Sequence, residues 1–309
     1  MLAIVCPGQG SQTPGFLTPW LELTGVREHA QELSEAAGLD LVQHGTGSDA
    51  ETIRDTAVAQ PLIVGAGLLT LSALFADQSG TVATAAGVVG GHSVGEITAA
   101  AATGVLTSTD AMRLVRVRGR AMAQASSVTE TGMSAVLGGD PDEVTAGLAQ
   151  HGLTAANVNG GGQVVAAGTL EQLAAFAADP PPKARVIPLQ VAGAFHTHHM
   201  ASAVDAMRVC ADGLTIADPH PGLLSNADGA VVETGSDAVA RLVSQVSNPV
   251  RWDLCMEAMT RLGVTGLLEV APAGTLVGLA KRAMKGVELV ALKTPTDLDA
   301  ARQLLEDHS

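Results

Sequence analysis

Short unbroken apolar runs alternate along the chain with longer stretches in which apolar positions recur every three or four residues. Leu2 to Cys6 and Ala86 to Gly90 carry no polar side chain, a pattern that predicts strands buried on both faces. Arg27 to Ala37, Gln60 to Gln78 and Ser108 to Ala125 have helical spacing. Alternation of the two kinds predicts a parallel sheet covered by helices.

From about Gly132 the rhythm changes. Met133 to Leu137 reads as a strand, Pro141 to Gln150 as a helix, Thr154 to Val158 and Gln163 to Ala167 as strands, Leu170 to Ala178 as a helix, and Arg185 to Val191 as a strand. The order βαββαβ is that of a ferredoxin-like unit. It predicts a small domain over residues 124–194, with Pro180 to Pro182 as an internal turn. Helices at Met200 to Ala211 and Asp237 to Val246, a strand at Gly266 to Val270 and a helix at Thr275 to Met284 return to the first rhythm. Residues 1–123 and 195–309 are therefore expected to form one large α/β domain.

Composition narrows the function classes. With 47% hydrophobic and 16% charged residues, the chain reads as a packed globule and not as a disordered segment. A net charge of -14 argues against a nucleic-acid surface, which needs clustered Lys and Arg in excess. Cys6, Cys210 and Cys255 are odd in number and widely spaced, which suggests neither a disulfide framework nor a zinc ribbon and fits a reducing cytoplasm. The start of the chain has no basic region ahead of its five apolar residues, so it reads as a first strand and not as a signal peptide. The longest apolar stretch, Leu62 to Ala76, is shorter than the roughly 20 residues of a membrane helix and reads as a core helix.

Candidate chemistry begins at Gly91-His92-Ser93-Val94-Gly95. It fits G-x-S-x-G, the sharp strand-to-helix turn that exposes a serine oxygen, and it lies between a strand-like run and a helix-prone one. An ordinary glycine-rich turn with a capping serine remains the alternative. Neither this turn nor Asn157 to Gln163 satisfies GxxxxGK or GxGxxG, which disfavours nucleotide binding. A base for Ser93 is available in Gly193-Ala-Phe-His-Thr-His-His-Met200, whose histidines lack a cysteine or carboxylate cluster that would favour a metal. Pro7-Gly-Gln-Gly-Ser-Gln12 follows the first strand, so it belongs at the sheet edge where Ser93 emerges. Its amides either complete an oxyanion hole or form a structural turn. Among Arg116, Arg118 and Arg120, the i, i+2 spacing forbids a single shared face, although a solvated run is the common fate of such residues.

Taken together, Pro7 to Gln12, Gly91-His-Ser-Val-Gly-Glu96, Arg116-Val-Arg-Gly-Arg120, Ala194-Phe-His-Thr197 and Asn248-Pro-Val-Arg-Trp252 resemble the malonyl-CoA:acyl-carrier-protein transacylase family, in order and over nearly the whole chain. The resemblance implies a hydrolase-like large domain with an inserted ferredoxin-like domain and a cleft between them. It implies ping-pong transfer of malonyl from malonyl-CoA to the phosphopantetheine thiol of acyl carrier protein through an ester on Ser93. His196 would be base and then acid, the backbone amides of Gln9 and Val94 the oxyanion hole, Arg118 the carboxylate partner, and the Gln245 carbonyl the group that orients His196. Phe195 resembles the residue that excludes branched acyl groups. No cofactor or metal is implied, nor is a membrane partner.

Asn157 and Asn159 match a family segment near the cleft, but the adjacent glycines favour a turn-forming role. Cys6 reads as packing. The exposed-looking basic run Lys281, Arg282 and Lys285 is a candidate docking patch for an acidic carrier. Two other readings keep the same residues: a serine esterase or thioesterase that hands the acyl group to water, and a catalytically silent carrier-docking module.

Overall fold

The computed structural model describes residues 1–76, 80–191 and 193–308. Among the described residues eleven strands form two sheets: β1 (Leu2–Cys6), β2 (Val88–Gly91), β3 (Thr131–Gly138), β4 (Thr154–Gly160), β5 (Gln163–Thr169), β6 (Ala184–Pro188), β7 (Gly222–Leu224), β8 (Val231–Val232), β9 (Val250–Arg251), β10 (Gly266–Glu269) and β11 (Glu288–Ala291). The larger sheet runs β11-β10-β1-β2-β7-β8. Its first five strands are parallel and only β8 is reversed. Every residue of β1, β2 and β10 is buried, as their lack of alternation predicts. Because β1, β2 and β10 are parallel, their carboxyl ends emerge on one edge, where Cys6 is level with Gly91.

The smaller sheet runs β6-β3-β5-β4-β9. Its four antiparallel members follow the ferredoxin-like order, with helices Pro141–Gln150 and Leu170–Ala178 packed on one apolar cluster that includes Val136, Val144, Leu148 and Phe176. The fifth strand comes from elsewhere in the chain. Val250 and Arg251 pair in parallel with Asn157 and Val158, so a segment downstream of the inserted unit completes its sheet.

Differences from the expected elements are local. The last strand of the small sheet stops at Pro188 and not at Val191, although the Leu189 amide still donates to the Met133 carbonyl of β3 at 2.9 Å. The long helix begins earlier than expected and spans Thr56–Phe75, while the expected end at Asp77 and Gln78 lies outside the described residues. That helix is long and apolar enough by composition to cross a membrane, but 83% of its apolar window is buried inside the fold. It packs against the helix Ser108–Ser126, where Gly119 lies so close to the Thr56 carbonyl that a Cβ there would sit 2.9 Å from it. Beyond the expected elements the chain adds β7, β8, β9, β11 and the helices Trp252–Arg261 and Leu298–His308.

Candidate active site

The turn after β2 is where backbone and side-chain chemistry meet. Ser93 sits at φ +55°, in the left-handed region that a non-glycine residue enters only at some cost. The neighbouring glycines are required: a Cβ on Gly91 would run into the Gly95 carbonyl, and one on Gly95 would run into the Cys6 carbonyl. The helix Gly95–Ala102 starts immediately after, so the serine oxygen stands at a helix N-terminus on the sheet edge.

His196, also left-handed at φ +60°, places Nε2 2.8 Å from Ser93 Oγ. Its Nδ1 lies 2.9 Å from the Gln245 backbone carbonyl. A carbonyl can only accept, so Nδ1 carries the proton and Nε2 is left bare to accept from the serine hydroxyl. No carboxylate is needed to fix the tautomer. Burial, reinforced by the nearby Arg118 charge, pushes the His196 pKa down to about 3, which keeps the ring neutral and basic at ordinary pH.

Arg118 is only 1% exposed, whereas Arg116 is half-buried and Arg120 exposed. Its Nη2 donates to Ser93 Oγ at 3.3 Å and to the Gln245 side-chain carbonyl at 2.8 Å, and its Nη1 has no partner among the described residues. A buried guanidinium therefore reaches Ser93 Oγ with one donor nitrogen still free.

Gln245 is the hub of the network. Its backbone carbonyl orients His196, its side-chain oxygen accepts from Arg118, and its Nε2 donates to the Ser93 carbonyl and to Glu96. The other Glu96 oxygen accepts from the Asn226 amide at 2.7 Å. Asn226 in turn accepts from the Ser93 amide through Oδ1 and donates through Nδ2 to the Gly91 carbonyl, both at 2.7 Å. Burial raises the Glu96 pKa against the pull of these donors and of Arg118. Glu96 and Asn226 thus brace the turn from behind.

A cavity of about 250 Å³ opens in front of these groups, lined by Ser93 and His196 from the large sheet side and by Asn157 and Asn159 from β4. Phe195 and Gln9 also line it, as do Leu276 and Leu279 from the helix Thr275–Ala283. That helix is pinned by Glu269 at the end of β10, which accepts from the Gly274, Leu276 and Val277 amides. Among the hydrogen bonds of the described residues, the Gln9 and Val94 amide nitrogens have no acceptor. Among the described residues no group of three or more His, Cys, Asp or Glu is placed to hold a metal ion.

Two expectations are corrected or refined. Asn157 and Asn159 are not turn residues: they lie in β4, two apart on the strand and buried, and the turn is made by the glycines after them. Asn159 Oδ1 lies 2.8 Å from His92 Nε2 and so bridges the small sheet to the serine turn. Cys6 is fully buried, and burial pushes its thiol far above the usual range, in line with packing. Lys281 and Arg282 are exposed in the last turn of the cavity-lining helix, and Arg282 donates to Gln163 at 3.1 Å.

A family model described as the acyl transferase domain matches residues 3–295. The chain belongs to the acyl transferase family. Within it, this chain is 50% identical over 304 residues to the malonyl CoA-acyl carrier protein transacylase of Mycobacterium tuberculosis, covering 98% of this chain and 100% of that one. The crystal structure of MCAT from the same organism superimposes with a TM-score of 0.92 at 49% identity, over 99% of both chains. A malonyl-transacylase solved in complex with its type II PKS acyl-carrier protein matches with a TM-score of 0.89 at 30% identity, again over 99% of both chains. As a member of this family the chain is an acyltransferase, with the family's α/β large domain and ferredoxin-like small domain.

Proposed function

We propose that this acyltransferase moves the malonyl group from malonyl-CoA to the phosphopantetheine thiol of an acyl carrier protein. The observation that carries this reading is the meeting of two groups on one oxygen: Ser93 Oγ is 2.8 Å from the bare Nε2 of His196 and 3.3 Å from a buried guanidinium. The first makes the serine a nucleophile, and the second supplies a cation for an acyl group that ends in a carboxylate.

In the first half-reaction Ser93 Oγ attacks the thioester carbonyl as its proton passes to His196 Nε2. The negative oxygen is received by the Gln9 and Val94 amides. Collapse expels the CoA sulfur, which takes the proton from His196 and leaves a malonyl ester on Ser93. The carrier's thiol then repeats the sequence in reverse. Phe195, beside the base and in the cavity wall, crowds the acyl α-carbon and disfavours a branched group. The large domain over residues 1–123 and 195–309 and the small one over 124–194 close on the substrate from two sides. A reducing cytoplasm fits three free cysteines, two of them buried.

Intact-mass measurement after mixing with malonyl-CoA is expected to give one malonyl adduct per chain, and none for Ser93→Ala. An unlabelled parent rejects the reading. Free CoA that accumulates beyond one equivalent without any carrier favours hydrolysis instead.

The exposed Lys281 and Arg282, with Lys285 beyond them, stand out on a chain of net charge -14 and sit on the helix that lines the cavity. They suit an acidic carrier, with complementary potential raising the association rate. Lys281→Glu with Arg282→Glu is expected to slow malonyl delivery to the carrier by about tenfold or more at low salt while leaving Ser93 acylation intact. Equal effects on both half-reactions dismiss the docking role.

A further inference from the structure

The helix Thr56–Phe75 buries nearly all of its length, and Gln60 is the one long polar side chain in its interior. Gln60 is only 2% exposed, yet its amide is poorly used. Nε2 reaches only the Met122 sulfur, at 3.5 Å, and Oε1 has no partner among the described residues. A thioether is a weak acceptor, and a buried amide left in this condition costs stability that an apolar residue of the same length would not. Gln60 is also part of the wall of the cavity that holds Ser93 and His196.

Its position relative to Arg118 follows from helix packing. The close approach at Gly119 sets the start of one helix against the middle of the other, with the Gln60 side chain next to Gly119 and Met122. Arg118 and Met122 are one turn apart on the same helix face. The guanidinium already gives both Nη2 hydrogens to Ser93 and Gln245, which leaves Nη1 as its idle terminal donor. One idle terminal nitrogen, with two hydrogens, is a thin complement for a carboxylate, which has about four lone-pair sites.

We propose that Gln60 is a second recognition residue for the free carboxylate of the acyl group: its Nε2 turns from Met122 to one carboxylate oxygen while Arg118 holds the other. This rests on the malonyl reading above and adds a donor to it. The selection for an acyl group with a terminal carboxylate is then shared between a charged and a neutral donor. The neutral one contributes direction without deepening the positive field of Arg118.

The test is the rate of Ser93 acylation by malonyl-CoA and by acetyl-CoA, followed by intact mass, in the parent, Gln60→Met and Gln60→Glu. Methionine keeps the length and fills the same space without an amide, so malonyl acylation is expected to fall about ten- to a hundredfold, the loss of a hydrogen bond to a charged group. Acetyl acylation, with nothing to pair, should stay within about twofold and reports that the site is folded. Glutamate has nearly the shape of glutamine, and where it is ionised it sets a second negative charge against the carboxylate, so its malonyl rate should fall further than that of methionine. An unchanged malonyl-to-acetyl ratio in both variants, or a proportional loss of both rates, overturns the role of Gln60 while a labelled parent leaves the malonyl reading standing. A parent that takes no malonyl group overturns both.

Discussion

Replacing Arg118 with alanine is expected to lower Ser93 acylation by malonyl-CoA by about one and a half to three and a half decades while sparing acetyl-CoA. Malonyl differs from acetyl by one carboxylate, and in a closed site that charge is desolvated and unpaired without the guanidinium, at a cost of roughly 2 to 5 kcal/mol. At about 1.4 kcal/mol per tenfold, the range of rates follows. Arg118→Lys should recover only part of the loss, since an ammonium cannot reach Ser93 Oγ, Gln245 and a carboxylate from one planar fork. Parallel acylation assays with both thioesters decide the matter. Proportional loss of both would make Arg118 a brace for Gln245 and nothing more.

The second large effect concerns the base. His196→Ala should reduce acylation by both thioesters by about two to four decades, the usual contribution of positioned proton transfer. The pH profile carries the finer test. Only the neutral ring accepts the serine proton, and its pKa is held down to about 3, so activity should persist as pH falls through 6.5 and decline only towards the lower value. Arg118→Ala removes one cause of that depression but leaves burial, the largest, so the acid limb for acetyl transfer should move up, part of the way to 6.5. Rates measured from pH 8 down to pH 4.5 show it. A parent limb already near 6.5 would mean that His196 is wetter and less constrained than its contacts indicate.

Much of the fold was legible because its elements are long and periodic. The buried strands β1 and β2 and the helix Ser108–Ser126 announce themselves by what they lack or repeat, and the βαββαβ order of the small unit survives as a plain sequence of patterns. Ser93 was legible in its own strand-to-helix motif, whereas His196 among three histidines and Arg118 among three arginines were singled out by the resemblance of several segments taken together. Their supports were not. Glu96 reads as an acid in the first turn of a helix, which dipole considerations alone would explain, and Asn226 reads as a turn residue between Ser225 and Gly229. Only the folded chain reveals that both stand behind Ser93. The asparagines of β4 were misread because three following glycines suggest a turn, although their i, i+2 spacing already fits one face of a strand. Gln60 did carry a signal: a single amide in a helix otherwise made for burial.

The two-residue strand β9 escaped any periodicity, and it has a practical bearing on how relatives of this enzyme are recombined. A chimera that swaps only residues 124–194 would inherit a β4 whose outer edge was shaped for another protein's Val250 and Arg251, while Arg251 also donates from its amide to the Asn226 carbonyl behind Ser93. The natural crossover unit is therefore discontinuous. Donor sequence has to be carried over at 250–251 as well, so that the seam does not run through a backbone ladder joined to the Ser93 turn.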